Sequence, residues 1–294
     1  MAQDLNSPNE IRISSIAQLS RGGAWRLTEL HDCDHDLMLW ITKGQGLAIL
    51  QGIRRGVGAH NLFHIPARTL FSMDLGRTGF GIAVRIPHDP ALTLHDTPML
   101  LRIREVHAQS ELTGLLDNLQ RELDHDAPFM DEAARAHVSL ISVWMRRQAL
   151  AIHGPEEPRL PAGQRLVEAF CALVAKDFRT GKPMADFAAM LGVTPTHLTR
   201  ACRQYTGMTA ADVLTRRTLY EARVLIEGTD LPLKDIADQL GFGSAAYFSR
   251  FVLQHTKFSP SDLRRGKGVE KPASPLQGRA QVGQSPVSPF RRFN

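Results

Sequence analysis

Between residues 37 and 87, short apolar runs (LMLWIT, LAIL, NLFHI, TLFSM and FGIAVRI) are separated by Gly- or Pro-bearing breaks such as KGQG, GVG and IPA. Short strands recurring at about ten-residue spacing predict an antiparallel sandwich or barrel. The period then changes. Leu112, Leu115, Leu116, Leu119 and Leu123 follow the i, i+3, i+4, i+7 rule of an amphipathic helix, and a second helical stretch runs from about Met130 to Ile152. The segment HGPEEPRLPAG carries three prolines and two glycines between periodic regions, which marks a boundary. Beyond it the pattern is helical throughout, until residues 267–294 lose their large apolar side chains and read as a disordered basic tail.

Comparing the helical part with itself exposes a repeat, which a single sequence suffices to show. Asp186, Phe187, Ala188, Leu191 and Gly192 recur 49 residues later as Asp235, Ile236, Ala237, Leu240 and Gly241. Thr194, Leu198, Thr199, Arg200 and Thr206 recur at an offset of 50 as Ser244, Phe248, Ser249, Arg250 and Thr256. In each copy a small residue, Ala188 or Ala237, lets a second helix approach, and a glycine able to take positive φ makes the turn. A cap, Thr194 before Pro195 or Ser244, then starts the second helix. That is helix-turn-helix, in which the second helix enters the major groove of DNA by its N-terminal turns. Between the copies, Ala210 to Gly228 reads as one rigid helix with Val213, Leu214, Leu219, Ala222 and Leu225 near one face.

These residues, and above all IADQLGFGSAAYFSRF followed by FSPSDLRR, resemble the DNA-binding domain of the AraC/XylS family of transcription regulators. Lys257 stands where that family usually has glycine, Leu263 where tyrosine is frequent, and Thr218 where the linker helix often has arginine. The turns that project first from the second helices carry Thr196, His197, Thr199, Arg200 and Arg203 in one unit and Ala245, Ala246, Ser249 and Arg250 in the other. Of these the resemblance implies base reading by Thr196, Thr199 and Arg200 in the first unit and by Ala245, Ala246, Ser249 and Arg250 in the second. Alanine cannot hydrogen-bond a base edge, so sequence reading is expected to lean on the first helix, with phosphate positioning and thymine-methyl contact from the second.

The strand-rich part resembles the cupin-like sensory domains of the same family by pattern rather than by motif. The expected fold is α+β: a cupin-like antiparallel β-barrel sensing an effector (1–100), bridging and dimerisation helices (101–155), a linker (156–164), an all-α tandem helix-turn-helix domain (165–266) and the tail (267–294). A small-molecule effector is expected inside the barrel, near Trp40, His60, His64 and Phe71. The resemblance further implies double-stranded DNA as partner, a homodimer, and RNA polymerase if the protein activates.

Composition narrows the alternatives. A 294-residue chain with 43% hydrophobic residues can build two cores, which sets aside wholesale disorder. The net charge of +5 is uneven: residues 1–160 hold 16 basic and 19 acidic side chains, residues 161–294 hold 19 and 11. A polyanion or an anionic membrane surface is the natural partner of the basic half. Cys33, Cys171 and Cys202 form neither a CxxC pair nor a Cys/His cluster, and the polar opening and short apolar runs predict no leader and no membrane span, so a cytoplasmic location is expected. His31, His35, His60 and His64 raise a metal-dependent cupin enzyme as the rival, because residues four apart on a strand share a face. The HxH and following glutamate often seen in such enzymes are missing, and no catalytic triad or phosphate loop stands out, so neither enzyme activity, nor a metal, nor a cofactor is expected.

Overall fold

The computed structural model describes residues 10–76, 78–89, 92, 94–125, 127–154 and 160–266. The tail expected at 267–294 lies outside the described residues, as do residues 156–159 of the expected linker, whose last three residues, 162–164, instead open a helix. In chain order the elements are β1 (Arg12–Ser15), α1 (Ile16–Leu19), α2 (Trp25–Thr28), β2 (Asp36–Lys43), β3 (Gln45–Leu50), β4 (Ile53–Gly58), β5 (Asn61–Ile65), β6 (Phe71–Asp74), β7 (Phe80–Ile86) and β8 (Met99–Arg102). Then come α3 (Val106–Asp124), α4 (Met130–His153), α5 (Ala162–Asp177), a 3₁₀ turn (Phe178–Thr180), α6 (Met184–Met190), α7 (Pro195–Thr206), α8 (Ala210–Gly228), α9 (Leu233–Gln239), α10 (Ala245–Thr256) and α11 (Pro260–Arg264).

The α+β class is as expected, and the strand-rich part consists of two antiparallel sheets, ordered β1-β7-β2-β5-β8 and β4-β3-β6. Side-chain alternation along β2 explains why its apolar run is unbroken. Leu37, Leu39 and Ile41 pack between the sheets with Ala48, Leu50, Val57, Phe63, Phe71 and Met73. Met38 and Trp40 point the other way, onto Leu112, Leu116 and Leu119 of α3 and Val138, Ile141 and Met145 of α4. A strand buried on both faces loses the polar alternation of a half-exposed one. Thus α3 and α4, read from sequence as bridging, cover the outer face of the five-stranded sheet. Edge strand β8 crosses the boundary expected at residue 100.

The second sheet meets the C-terminal helices directly. Leu30, Ile49 and Leu70 belong to the same core as Val167, Phe170 and Cys171 of α5. At Gly52, between β3 and β4, an added Cβ would lie 2.6 Å from Val167 and 2.7 Å from Cys171, and φ is +80°. Only glycine suits that approach.

Alongside, the segment from Trp25 to Asp32 lies against the middle of α8. The Arg217 guanidinium donates to Asp32 at 2.6 Å and to Glu221 at 2.9 Å, with the Arg217 side chain 4% exposed and that of Asp32 1%. It also lies 3.8 Å from the ring centre of Phe178. Tyr220 stacks on His31 at 4.4 Å and meets Trp25 edge-on, while Arg223 covers the other ring contact of Trp25 at 4.3 Å. No helix among the described residues is long and apolar enough to cross a membrane.

Candidate nucleic-acid interface

Each unit begins with a short helix whose alanine is fully buried, Ala188 in α6 and Ala237 in α9, so the following helix packs closely on it. The turns carry Gly192 at φ +68° and Gly241 at φ +73°. Both caps form as the residues dictate: the His197 N–H donates to the Thr194 hydroxyl and the Tyr247 N–H to the Ser244 hydroxyl, each at 3.2 Å. Pro195 follows the first cap, where its missing N–H costs nothing. The helices therefore start at equivalent positions.

The two helices also expose equivalent positions. Leu198 and Phe248 are fully buried, as are Cys202 and Val252. On the opposite faces, Thr196, His197, Arg200 and Arg203 of α7 are exposed and Thr199 is half-buried; on α10, Ala246 and Arg250 are exposed while Ala245 and Ser249 are half-buried. Arg200 Nη2 lies 3.1 Å from His197 Nδ1, so these two side chains are presented together. Tyr247, 56% exposed in the first turn of α10, was missed by the sequence reading. The offset of 50 that pairs it with His197 was the signal that could have found it.

The units touch as well as being joined by α8. A Cβ on Gly241 would fall 2.5 Å from the Gly181 nitrogen and 2.6 Å from the Arg179 carbonyl oxygen. The second turn is thus seated on the loop that leads into the first unit. Charge is distributed selectively: Arg217 and Arg223 of α8 are buried toward the N-terminal part, and Arg179 pairs with Glu221. Residues 267–294, with five basic and one acidic side chain, supply half of the basic excess beyond residue 160.

The four residues expected around an effector do not share one cavity. Trp40 faces α3 and α4, Phe71 lies between the sheets against His31, and His60 is exposed in the β4–β5 turn, 5.8 Å from Trp40. His64 is 1% exposed, neither ring nitrogen has a hydrogen-bond partner, and burial pushes its pKa down to about 4. Among the described residues no group of three or more His, Cys, Asp or Glu is placed to hold a metal ion.

A family model described as a helix-turn-helix domain matches residues 187–266. The transcriptional activator RhaS of Enterobacter sp. (strain 638) is 37% identical over 70 residues, 24% of this chain and 25% of RhaS. The chain thus spans about a quarter of the length of that curated relative. Among solved structures, ToxT from Vibrio cholerae aligns over 89% of this chain and 99% of its own, with 13% identity and a TM-score of 0.41. An AraC-type regulator from Chromobacterium violaceum covers 36% of this chain and 95% of its own, with 23% identity and a TM-score of 0.32. With its duplicated units, capped second helices and matched family model, the chain carries a helix-turn-helix domain over residues 187–266.

Proposed function

We propose that the protein is a sequence-specific transcription regulator whose two helix-turn-helix units read adjacent major-groove segments on one face of a duplex, under the control of a small molecule bound by the N-terminal part. The observation that carries this reading is the equivalent exposure of α7 and α10, with Arg200 and Arg250 exposed on the solvent side of each. Thr196, His197, Thr199, Arg200 and Arg203 take the base-reading role. Ala245, Ala246, Ser249 and Arg250 position the second unit, joined by the exposed Tyr247. The close seating of Gly241 on Gly181 supports a fixed separation of the two units, and in this reading they address segments one helical turn apart, roughly 10 bp. A homodimer through α3 and α4, with RNA polymerase as a further partner of an activator, completes the model.

The test begins with DNA selected by the full chain from a random library. Arg200→Ala should weaken the selected site by about 1 to 3 kcal/mol and leave random DNA nearly unaffected, as loss of a base-edge contact requires. Inserting about 5 bp between the two elements turns one to the opposite face and should abolish protection of both. Equal loss on random DNA, or protection that tolerates the insertion, would overturn the tandem reading.

A further inference from the structure

The space between the two sheets is filled by Leu39, Ile41, Phe63 and Phe71, all at most 1% exposed, so a ligand of ordinary size has to be sought elsewhere. A groove of about 510 Å³ opens at one end of the sheets, where the β4–β5 turn faces the chain leaving β8. That volume lies within the usual range for small-molecule sites, about 300 to 1,000 Å³. Its floor includes the buried side chains of Val57 and Ile103 and the backbone of Gly56 and Gly58, with no atom within 4 Å of a Cβ built on either glycine. Bare backbone and two apolar side chains leave room for the carbon skeleton of a ligand.

The polar rim is one-sided in charge. Arg102 and Arg104 both line the groove and are exposed, while Ile103 between them is buried. Alternation in extended chain sends residues i and i+2 to the same side, about 7 Å apart. Among the described residues neither guanidinium has an ion-pair or hydrogen-bond partner, in contrast to Arg12, Arg68 and Arg135 of the same part. His60 and Asn61 add polar groups, and no carboxylate lines the groove. Gln109 Nε2 donates to the Ile103 carbonyl at 2.9 Å, which ties the start of α3 to this segment. The N-cap residue of α3, Glu105, makes no side-chain capping bond, so the first N–H groups of that 19-residue helix have no side-chain acceptor from its cap.

We propose that this groove binds a small organic dianion, a dicarboxylate or a phosphate monoester, held by Arg102 and Arg104 with its carbon skeleton over Gly56, Gly58 and Val57. Guanidinium forks suit both anions, which present paired oxygens to paired N–H groups. As an effector site it rests on the regulatory reading above. As a ligand site it does not, and so binding is measured without DNA.

The full chain is titrated calorimetrically with glutarate, glycerol 3-phosphate and inorganic phosphate, and with glycerol as the neutral control. Glutarate or glycerol 3-phosphate should saturate one site per chain, and glycerol should give no signal. Arg102→Ala and Arg104→Ala, both at exposed positions, should each weaken binding by about tenfold or more, as loss of a charge-assisted hydrogen bond predicts. Gly56→Phe, which fills the groove and leaves both charges in place, should also weaken it, with an unchanged circular dichroism spectrum showing that the fold is kept. Failure of both organic dianions to saturate at about 10 mM, a Kd weaker than specific recognition gives, would overturn the proposal. So would equal binding by the doubly substituted Arg102→Ala/Arg104→Ala chain. Ligand-free DNA affinity of these variants, measured in parallel, should equal that of the parent, so a failed ligand site and a failed DNA reading give different results.

Discussion

Replacing Arg217 by methionine should destabilise the chain by about 3 to 4 kcal/mol, although the position lies on α8, outside both recognition helices. The magnitude follows from what the substitution leaves behind. Asp32, 1% exposed, would keep only Arg68, whose side chain is 73% exposed and whose Nη1 stands 3.7 Å away. A buried charge deprived of its partner costs roughly 3 to 5 kcal/mol. Glu221 would retain Arg179, and methionine would recover part of the packing over Phe178, so the lower part of that range applies. Asp32→Asn is milder, about 1 to 2 kcal/mol, because Arg217 keeps Glu221 at 2.9 Å and its place over Phe178, and the asparagine carbonyl still accepts. The double variant should lose less than the sum, by about 1.5 kcal/mol or more, because its two sites share one interaction. Urea unfolding followed by tryptophan fluorescence suits the test, since Trp25, Trp40 and Trp144 all precede residue 155 and Trp25 lies at the contact itself. Strict additivity, or a loss below about 1 kcal/mol for Arg217→Met, would show that the pair adds nothing to the docking of the N-terminal part on α8.

Three further outcomes can be measured on the same material. Gly192→Ala should cost about 1 kcal/mol for its positive φ alone, because nothing lies within 4 Å of the added Cβ, whereas Gly241→Ala should cost at least twice as much by colliding with the Gly181 backbone; equal costs in urea unfolding would refute the contact. Lys257→Gly should stabilise the chain by about 0.5 to 1 kcal/mol, since Lys257 ends α10 at φ +68° in the place Gly207 occupies after α7, and a lower thermal midpoint would contradict it. His31 and His64, buried and held neutral with pKa values near 4, take up protons less readily folded than unfolded, so they make stability fall as pH drops from about 6.5 toward 4. The lowered carboxylate of Asp34 acts in the same direction below that window, the raised Glu29 and Asp36 oppose it, and a flat or rising profile between pH 7 and 4.5 would refute the net sign.

The C-terminal helices were legible because every local signal agreed. Caps, turn glycines and apolar spacing all pointed to one structure, and Ala210–Gly228 ends where its sequence pattern ends. The strand-rich part was legible as a class but not in its layering. Nothing local in LMLWIT distinguishes a strand covered by a second sheet from one covered by helices on its other side as well, and so α3 and α4 were assigned a bridging place. Three edge strands were missed: β1 and β8 because four residues are too short a window for periodicity to register, and β4 because Gly56-Val57-Gly58, which lies within it, reads as a break.

For the candidate interface, residue type and repeat offset found the exposed positions of α7 and α10, since a helix that buries Leu198 and Cys202 must turn Thr196 and Arg200 outward. Charge was a poorer guide. A count of basic residues treats Arg217 and Arg223 like Arg200, yet the first two are paired with Asp32, Glu221 and Glu227 against the N-terminal part. Arg217's partner Asp32 lies 185 residues away in sequence, so no window on α8 could have shown that pair. The same blindness hides the asymmetry of the duplication. Gly192 and Gly241 answer to one position in the repeat, but a Cβ at Gly192 meets nothing within 4 Å, whereas Gly241 is pressed against the backbone of Arg179 and Gly181, about sixty residues earlier in the chain.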